Sequence, residues 1–382
     1  MKLLSRSIQL GVASGLLCLG VLTTVCRAQT PQLPENVRTS ADAGPFRGQI
    51  ADFVNGHVSR MKSGTPAEVS SARDALIAAV GGQPSISFNE LYADAVNTAI
   101  STLLKEGKVA VRVNAAIVVT RVAERTSSAR LAPVVKGLLG DDSPGVAIWA
   151  MRAARPLVLS ILSDPILASN NLVPVVIEAV RKHITAGPVA AEAYNALTSA
   201  LLDRSIRSTF TTPQLQKLVP AIIDAVQSIY EMRVKLYEQG VPPEPAIDGK
   251  GAMLFLLDTQ NWQIASEKQK AKTGELALWA GVLAAKRQSQ PEFAARRGEL
   301  LEVVRYQGRA LVLLADFTQS ASLKTAAEDM ARVTNFSPAA QVLQSASDIP
   351  DAIKSVPLFK SVPMPPDVLS TPAAGSQPAS GG

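Results

Sequence analysis

One apolar pattern recurs along this chain and constrains its fold more than any other feature. Leu131-Ala132-Pro133-Val134-Val135 returns as Leu172-Val173-Pro174-Val175-Val176, and again as Leu218-Val219-Pro220-Ala221-Ile222. From Leu131 to Ala154 the chain reads as an apolar helix, an Asp-Asp-Ser-Pro-Gly turn and a second, alanine-rich helix. A lone helix hairpin of this kind leaves an apolar face in water. It becomes stable when like neighbours stack on it.

The second helices repeat as well. Val146, Ala150 and Ala153 stand at i, i+4 and i+7, as do Val111, Ala115 and Val118, and Val189, Ala193 and Ala196. That spacing puts each trio on one helical face. Alanine there favours the helix and lets neighbouring axes approach closely. Successive copies are offset by 35 and 43 residues for the second helix, and by 41 and 46 for the first. Helical solenoids of the two- and three-helix kinds repeat at roughly 40–47 residues.

On these residues the region resembles a HEAT-type repeat. Counting from Pro133, Leu138-Leu139 ends the first helix, Asp141 opens the turn, and Val146 begins the second helix with Ala150 on its buried face. In the preceding copy Leu103-Leu104, Val111-Arg112 and Ala115-Ala116 fall at matching places. The copy after Leu172 has two extra residues before Val189, and the copy after Leu218 has no recognisable second helix. The family often pairs a turn Asp with an Arg in the second helix. Here Asp141 and Arg112 stand in different copies, so the sequence supports no Asp–Arg ladder. The resemblance covers about residues 90–208. It implies a curved helical stack used for binding, and no chemistry. Pro133, Pro174 and Pro220 either sit in first turns or bend their helices, and the pattern leaves both open.

The fold expected is all-α, a HEAT-like α-solenoid over 47–208 that continues into a less regular helical bundle over 209–345. Thr65-Pro66-Ala67-Glu68 is a helix start with a capping threonine, a first-position proline and a glutamate at the third position. Ser87-Phe88-Asn89-Glu90 reads as another. A long helix is expected from Thr212 through Tyr237, broken by Gly240 to Pro245. Ala252 to Leu257 is too short for periodicity to assign as helix or strand. Further helices are expected over 274–288, 291–318 and 322–334.

The ends read differently. Residues 1–28 have the form of an export signal. Lys2 and Arg6 precede a largely apolar run from Ile8 to Val25, and Cys26-Arg27-Ala28 resembles a cleavage site ahead of Gln29. A retained membrane anchor is the alternative. Cleavage would remove both cysteines and would lower the formal net charge from +6 to +3. Residues 29–46 read as a flexible leader, and 346–382, rich in Pro, Ser, Gly and Ala, as a disordered tail. The chain is therefore expected to be exported, periplasmic or secreted, with no membrane span after cleavage. A charge balance this mild argues against a nucleic-acid partner.

Candidate chemistry is sparse. His57 and His183 lie far apart, and no H-E-x-x-H or Asp-rich calcium loop exists. Ser59-Arg60-Met61-Lys62, Ser169-Asn170-Asn171 and Lys272-Thr273-Gly274 reproduce the order of serine penicillin-binding motifs. That chemistry needs K-T-G on a strand, whereas here a helical run follows it, so the match is set aside. Trp149 and Trp279 lie on apolar helical faces and are read as core, though a tryptophan at a solenoid surface can anchor a partner. Lys268, Lys270 and Lys272 read as a solvated loop. Asn335-Phe336-Ser337 is a glycosylation-type triplet, but Pro338 follows it. No catalytic, cofactor-binding or metal-binding residue is assigned. The function expected is a non-catalytic scaffold or adaptor that binds a protein or peptide. A helical envelope enzyme, an enzyme-modulating domain and a structural envelope protein are the alternatives.

Overall fold

The computed structural model describes residues 33–365 except 107, 242 and 243. The export signal expected over 1–28 lies outside the described residues, as does the tail beyond Pro365. The described residues contain no strand, and the fold is all-α.

A short helix, α1 (Glu35–Thr39), comes first. Helices then alternate between two rows. The hairpins are α2 (Arg47–Ser63) with α3 (Pro66–Ala78), α4 (Ile86–Ser101) with α5 (Val109–Thr126), and α6 (Ala132–Leu139) with α7 (Pro144–Ala154). After the short α8 (Val158–Ser163) comes α9 (Val173–Lys182) with α10 (Gly187–Leu202). Within the first row α2, α4, α6 and α9 touch in sequence. Within the second α3, α5, α7 and α10 do the same. Ala115, Ala150 and Ala193 are fully buried, as are Val146, Ala153, Val118 and Val189. The i, i+4, i+7 trios are thus the contact faces of the second row.

The stack goes on past residue 208 more regularly than the sequence suggests. A single-turn α11 (Arg204–Arg207) leads to α12 (Thr212–Glu238), which packs on α9 and α10. The missing second helix of this copy is replaced by a π-helical segment, Pro245–Gly251, which touches both α10 and α16. Two short helices follow, α13 (Met253–Leu256) and α14 (Thr259–Ile264), so the ambiguous 252–257 run is helical. Then α15 (Glu267–Arg287) extends the first row and α16 (Arg297–Thr318) the second. Only Gln319 and Ser320 separate α16 from α17 (Ala321–Ala331), so α17 folds straight back on α16. The chain then crosses to α18 (Ala339–Ser347), which packs on α15, and α19 (Ile349–Lys354) follows. The last pair is therefore built in reverse order, second row first.

Local signals explain most starts. Thr65 N donates to Glu68 Oε2 at 2.8 Å, the capping box that the sequence indicates. For α4 the cap is Ser85, whose Oγ accepts from Phe88 N at 3.1 Å. Ser87, the cap expected from sequence, lies inside the helix and instead accepts from Ala43 N. Pro133 and Pro174 occupy first turns of α6 and α9, whereas Pro220 lies inside α12.

Two terminal expectations are corrected within the described residues. In the segment read as a flexible leader, Val37 and Ala43 are buried, and Arg38 Nε donates to Ala79 O at 3.0 Å. In the segment read as tail, Ile349, Ile353 and Val356 are buried at i, i+4 and i+7. Composition hid both. A few apolar residues at helical spacing suffice to dock a Pro- and Ser-rich segment.

Candidate functional site

A groove of about 860 Å³ runs where the first turns of α15 meet α12 and the C-terminal segment. Asp224, Lys268, Lys272, Glu275, Leu358 and Val362 are among its lining residues. Ser266 and Gln269 form a reciprocal cap that starts α15, with Ser266 N donating to Gln269 Oε1 at 3.0 Å. Gln269 Nε2 also reaches Asp224 Oδ1 at 2.7 Å, which ties the start of α15 to α12. Behind the groove, buried Gln227 donates to Gln269 O at 2.6 Å and to Thr273 Oγ1 at 2.9 Å. Those bonds satisfy a polar group that would otherwise be costly to bury.

The opposite wall is the chain's own strap, Val356–Pro363. Its 3-10 turn, Pro357–Phe359, places Phe359 fully buried against Gly274. A Cβ at position 274 would come 2.7 Å from the Phe359 ring, so only glycine leaves the notch open. Trp279 Nε1 donates to Pro363 O at 2.8 Å. Trp279 is therefore more than core, because its indole holds peptide backbone on the outside of α15.

The three lysines read as a loop lie in the first turns of α15. Lys272 Nζ is 2.6 Å from Glu275 Oε1 and 3.3 Å from Glu231 Oε2. Lys270 Nζ lies 5.6 Å from the Trp262 ring centre. Both signs of charge line the groove, so its field is mixed.

A second polar centre fills the break in the repeat. Arg233 Nε and Nη2 donate to Asp248 Oδ1 and Oδ2 at 2.7 and 2.9 Å. Both side chains are almost wholly buried. Asp248 Oδ2 also accepts from Glu244 N at 2.8 Å, and Arg233 Nη1 donates to Ile184 O. Tyr230 donates to Asp248 O, and Gln307 Nε2 to Tyr230 Oη at 2.7 Å. Burial pushes the Tyr194, Tyr230 and Tyr237 phenols well up, and the nearby Asp248 charge adds to it. The cluster is closed to solvent and pins the π-helical segment.

The other residues singled out from sequence are dispersed. His57 is buried, its ring 4.6 Å from Phe53 and edge-on to it. His183 caps α9 and places Nε2 2.9 Å from Asp141 O. Lys62 pairs with Glu106 and Lys272 with Glu275 and Glu231, while Lys272-Thr273-Gly274 lies within a helix. Trp149 is half-buried, with Arg152 4.8 Å and Arg121 5.8 Å from its ring centre. Among the described residues, no group of three or more His, Cys, Asp or Glu is placed to hold a metal ion.

Sequence reasoning missed one pairing. Arg112 Nε and Nη2 donate to Asp141 Oδ2 and Oδ1 at 2.6 and 3.2 Å. The partners stand in different copies, and stacking brings those copies together. Arg112 is held above its usual range by the hydrogen bond to Asp141. A different tie joins the next two second-row helices, Arg152 Nη2 to Glu192 Oε1 at 2.6 Å. The signal was present as an Asp in one turn and an Arg in the helix of the neighbouring copy. Compared with family models, curated proteins and solved structures, the chain gives no match.

Proposed function

We propose that the chain is an exported, non-catalytic scaffold of HEAT-like repeats that binds a protein or peptide partner. The observation that carries this reading is the strap on α15. There a short strap, a 3-10 turn followed by an irregular stretch, is held by one buried aromatic and one backbone hydrogen bond, beside an open groove of about 860 Å³. A surface that holds a segment of its own chain on one flank is suited to hold a partner's segment on the other. The Arg112–Asp141 rung and the residue offsets support the HEAT-like part of the reading. The residue 1–28 pattern supports export.

Site-specific photo-crosslinking in the producing cell tests the binding claim. A photoreactive residue at Lys268, in the groove, should give an adduct with a protein partner. The same residue at Ser63, an exposed site at the end of α2, should give none. Equal labelling at the two positions, or none at Lys268, counts against the scaffold reading. Mass spectrometry of the secreted or periplasmic fraction should find a mature N-terminus at Gln29 or within a few residues of it. An intact Met1 in a membrane fraction overturns the export claim.

A further inference from the structure

The place where the repeat breaks also leaves a recess. Seven π-helical residues and the four-residue α13 stand where a full second-row helix would be. They are too short to cover the outer face of α16. The result is an opening of about 280 Å³ lined by Met253, Leu254, Tyr306 and Leu313, with Lys250 and Arg309 at its rim. Gly249 lets Tyr306 lie on bare backbone, since a Cβ there would come 2.7 Å from the Tyr306 ring. Leu254 is 54% and Leu313 45% exposed, one from α13 and the other from α16.

We propose that this recess docks a short segment of a partner protein in which a large apolar side chain is flanked by carboxylates. The inference rests on the scaffold reading above but names a different surface and the chemistry of its ligand. Two half-exposed leucines over a buried methionine lose water favourably when an apolar side chain enters. Lys250 and Arg309 are exposed, and no carboxylate lines the recess. Neither cation takes part in an ion pair among the described residues. The complementary ligand is therefore acidic at its flanks.

Size and shape select among ligand classes. Small-molecule pockets run to roughly 300–1,000 Å³ and enclose most of the ligand. This opening, about 280 Å³, is just below that range and open to solvent, which suits one or two anchoring side chains. A bilayer would be met by apolar groups that protrude, whereas here they wall a depression.

Peptide selection on the full-length protein tests the proposal. A displayed library of random dodecamers would be selected on the wild-type chain, and the enriched sequences synthesised and measured by fluorescence anisotropy. The expected ligands carry Leu, Phe or Trp with Asp or Glu within a turn of it. Leu313→Asp, and separately Leu254→Asp, should each weaken them by about tenfold or more, because both residues are already exposed and the fold survives. The double reversal Lys250→Glu with Arg309→Glu should turn the preference from acidic to basic flanks. Enriched peptides indifferent to Leu313→Asp and Leu254→Asp overturn this inference and leave the scaffold reading standing. Recovery of basic-flanked peptides on the wild-type chain overturns it as well. Vesicles with phosphatidylserine serve as the third probe, and binding to them that Leu313→Asp abolishes would assign the face to lipid instead.

Discussion

The repeats from α4 to α10 and the stack from α12 onward close their helix contacts by different means. In the former, Ala115, Ala150 and Ala193 set the distance between second-row helices. The tie Arg152–Glu192 stays towards the edge, where Arg152 keeps 40% of its side chain exposed, and Arg112–Asp141 lies deeper but not sealed. In the latter, buried alanines recur on α15, and two helix approaches rest on glycine. A Cβ at Gly308 would come 2.4 Å from Ala331 N, and one at Gly281 would come 2.7 Å from Met330 Cε. The charge pair there, Arg233–Asp248, is in the core. The contrast has a physical cause. A regular helix satisfies its own backbone, so its interfaces need only shape. A π-helical segment buried in a row leaves irregular backbone that must find other partners. Tyr230 and Gln307 supply them, at the carbonyls of Asp248 and Gly249.

Substitutions can break this contrast at either end. Ala150→Glu should have the largest effect, a loss of about 5 kcal/mol or failure to fold. It combines overpacking with an unpaired buried charge in a face that has room for neither. A well-folded Ala150→Glu protein in a thermal melt would sink the assignment of that face. Asp248→Ala should come next, at about 3–5 kcal/mol, because it strands a buried guanidinium. The double variant Arg233→Met with Asp248→Ala should cost less than Asp248→Ala alone, as read by denaturant titration. If it costs more, the pair stabilises the break in its own right and is no mere compensation for burial.

Gly274→Ala separates strap from stack. The added methyl meets the Phe359 ring, so a cost of about 1–3 kcal/mol is expected, confined to the strap. Limited proteolysis should then cut near 356–365 while the remainder resists, and Trp279 emission should shift to the red. Unchanged cleavage and emission would show that Phe359 is not held by the notch. Arg152→Glu should be milder, about 1 kcal/mol. It places like charges beside Glu192 and removes the stacking on Trp149, but at a partly exposed site. A cost equal to that of Ala150→Glu would contradict the inward and outward faces assigned to α7.

The same contrast explains what was legible in the sequence. Val146, Ala150 and Ala153 announce a buried face because helical spacing is a local property. Thr65 announces its cap for the same reason. The continuation of the two rows past α12 was hidden, since the element at 245–251 has neither the length nor the period of a helix. The Arg112–Asp141 rung was hidden because its partners are 29 residues apart, and only stacking brings them together. The docked ends were hidden by composition, as Ile349, Ile353 and Val356 show. The groove is the least legible of all. Its walls come from α12, α15 and a strap spread over residues 224–363, and the K-T-G triplet that holds Gly274 carries no sign of the Phe359 ring packed against it.

The smallest effect expected tests the edge ties of the regular repeats. Lys182 Nζ lies 2.6 Å from Asp142 Oδ1, joining the turn after α6 to the end of α9. The Lys182 hydrogen bond and charge hold the Asp142 carboxyl below its ordinary range. A carboxylate depressed in the folded state contributes stability that is fully present above its unfolded pKa, about 3.9. That contribution is lost as pH falls through the lower folded value. The gap in melting temperature between the wild type and Asp142→Asn should therefore not shrink between about pH 7 and pH 5. It should narrow only below about pH 4. Raising the salt to about 0.5 M at pH 7 should narrow it too, because the pair is exposed and screened. A gap that widens below about pH 4 would reverse the sign of the linkage and remove this tie from the repeat. A gap that salt leaves untouched would mean that Asp142 acts through the turn backbone and not through Lys182.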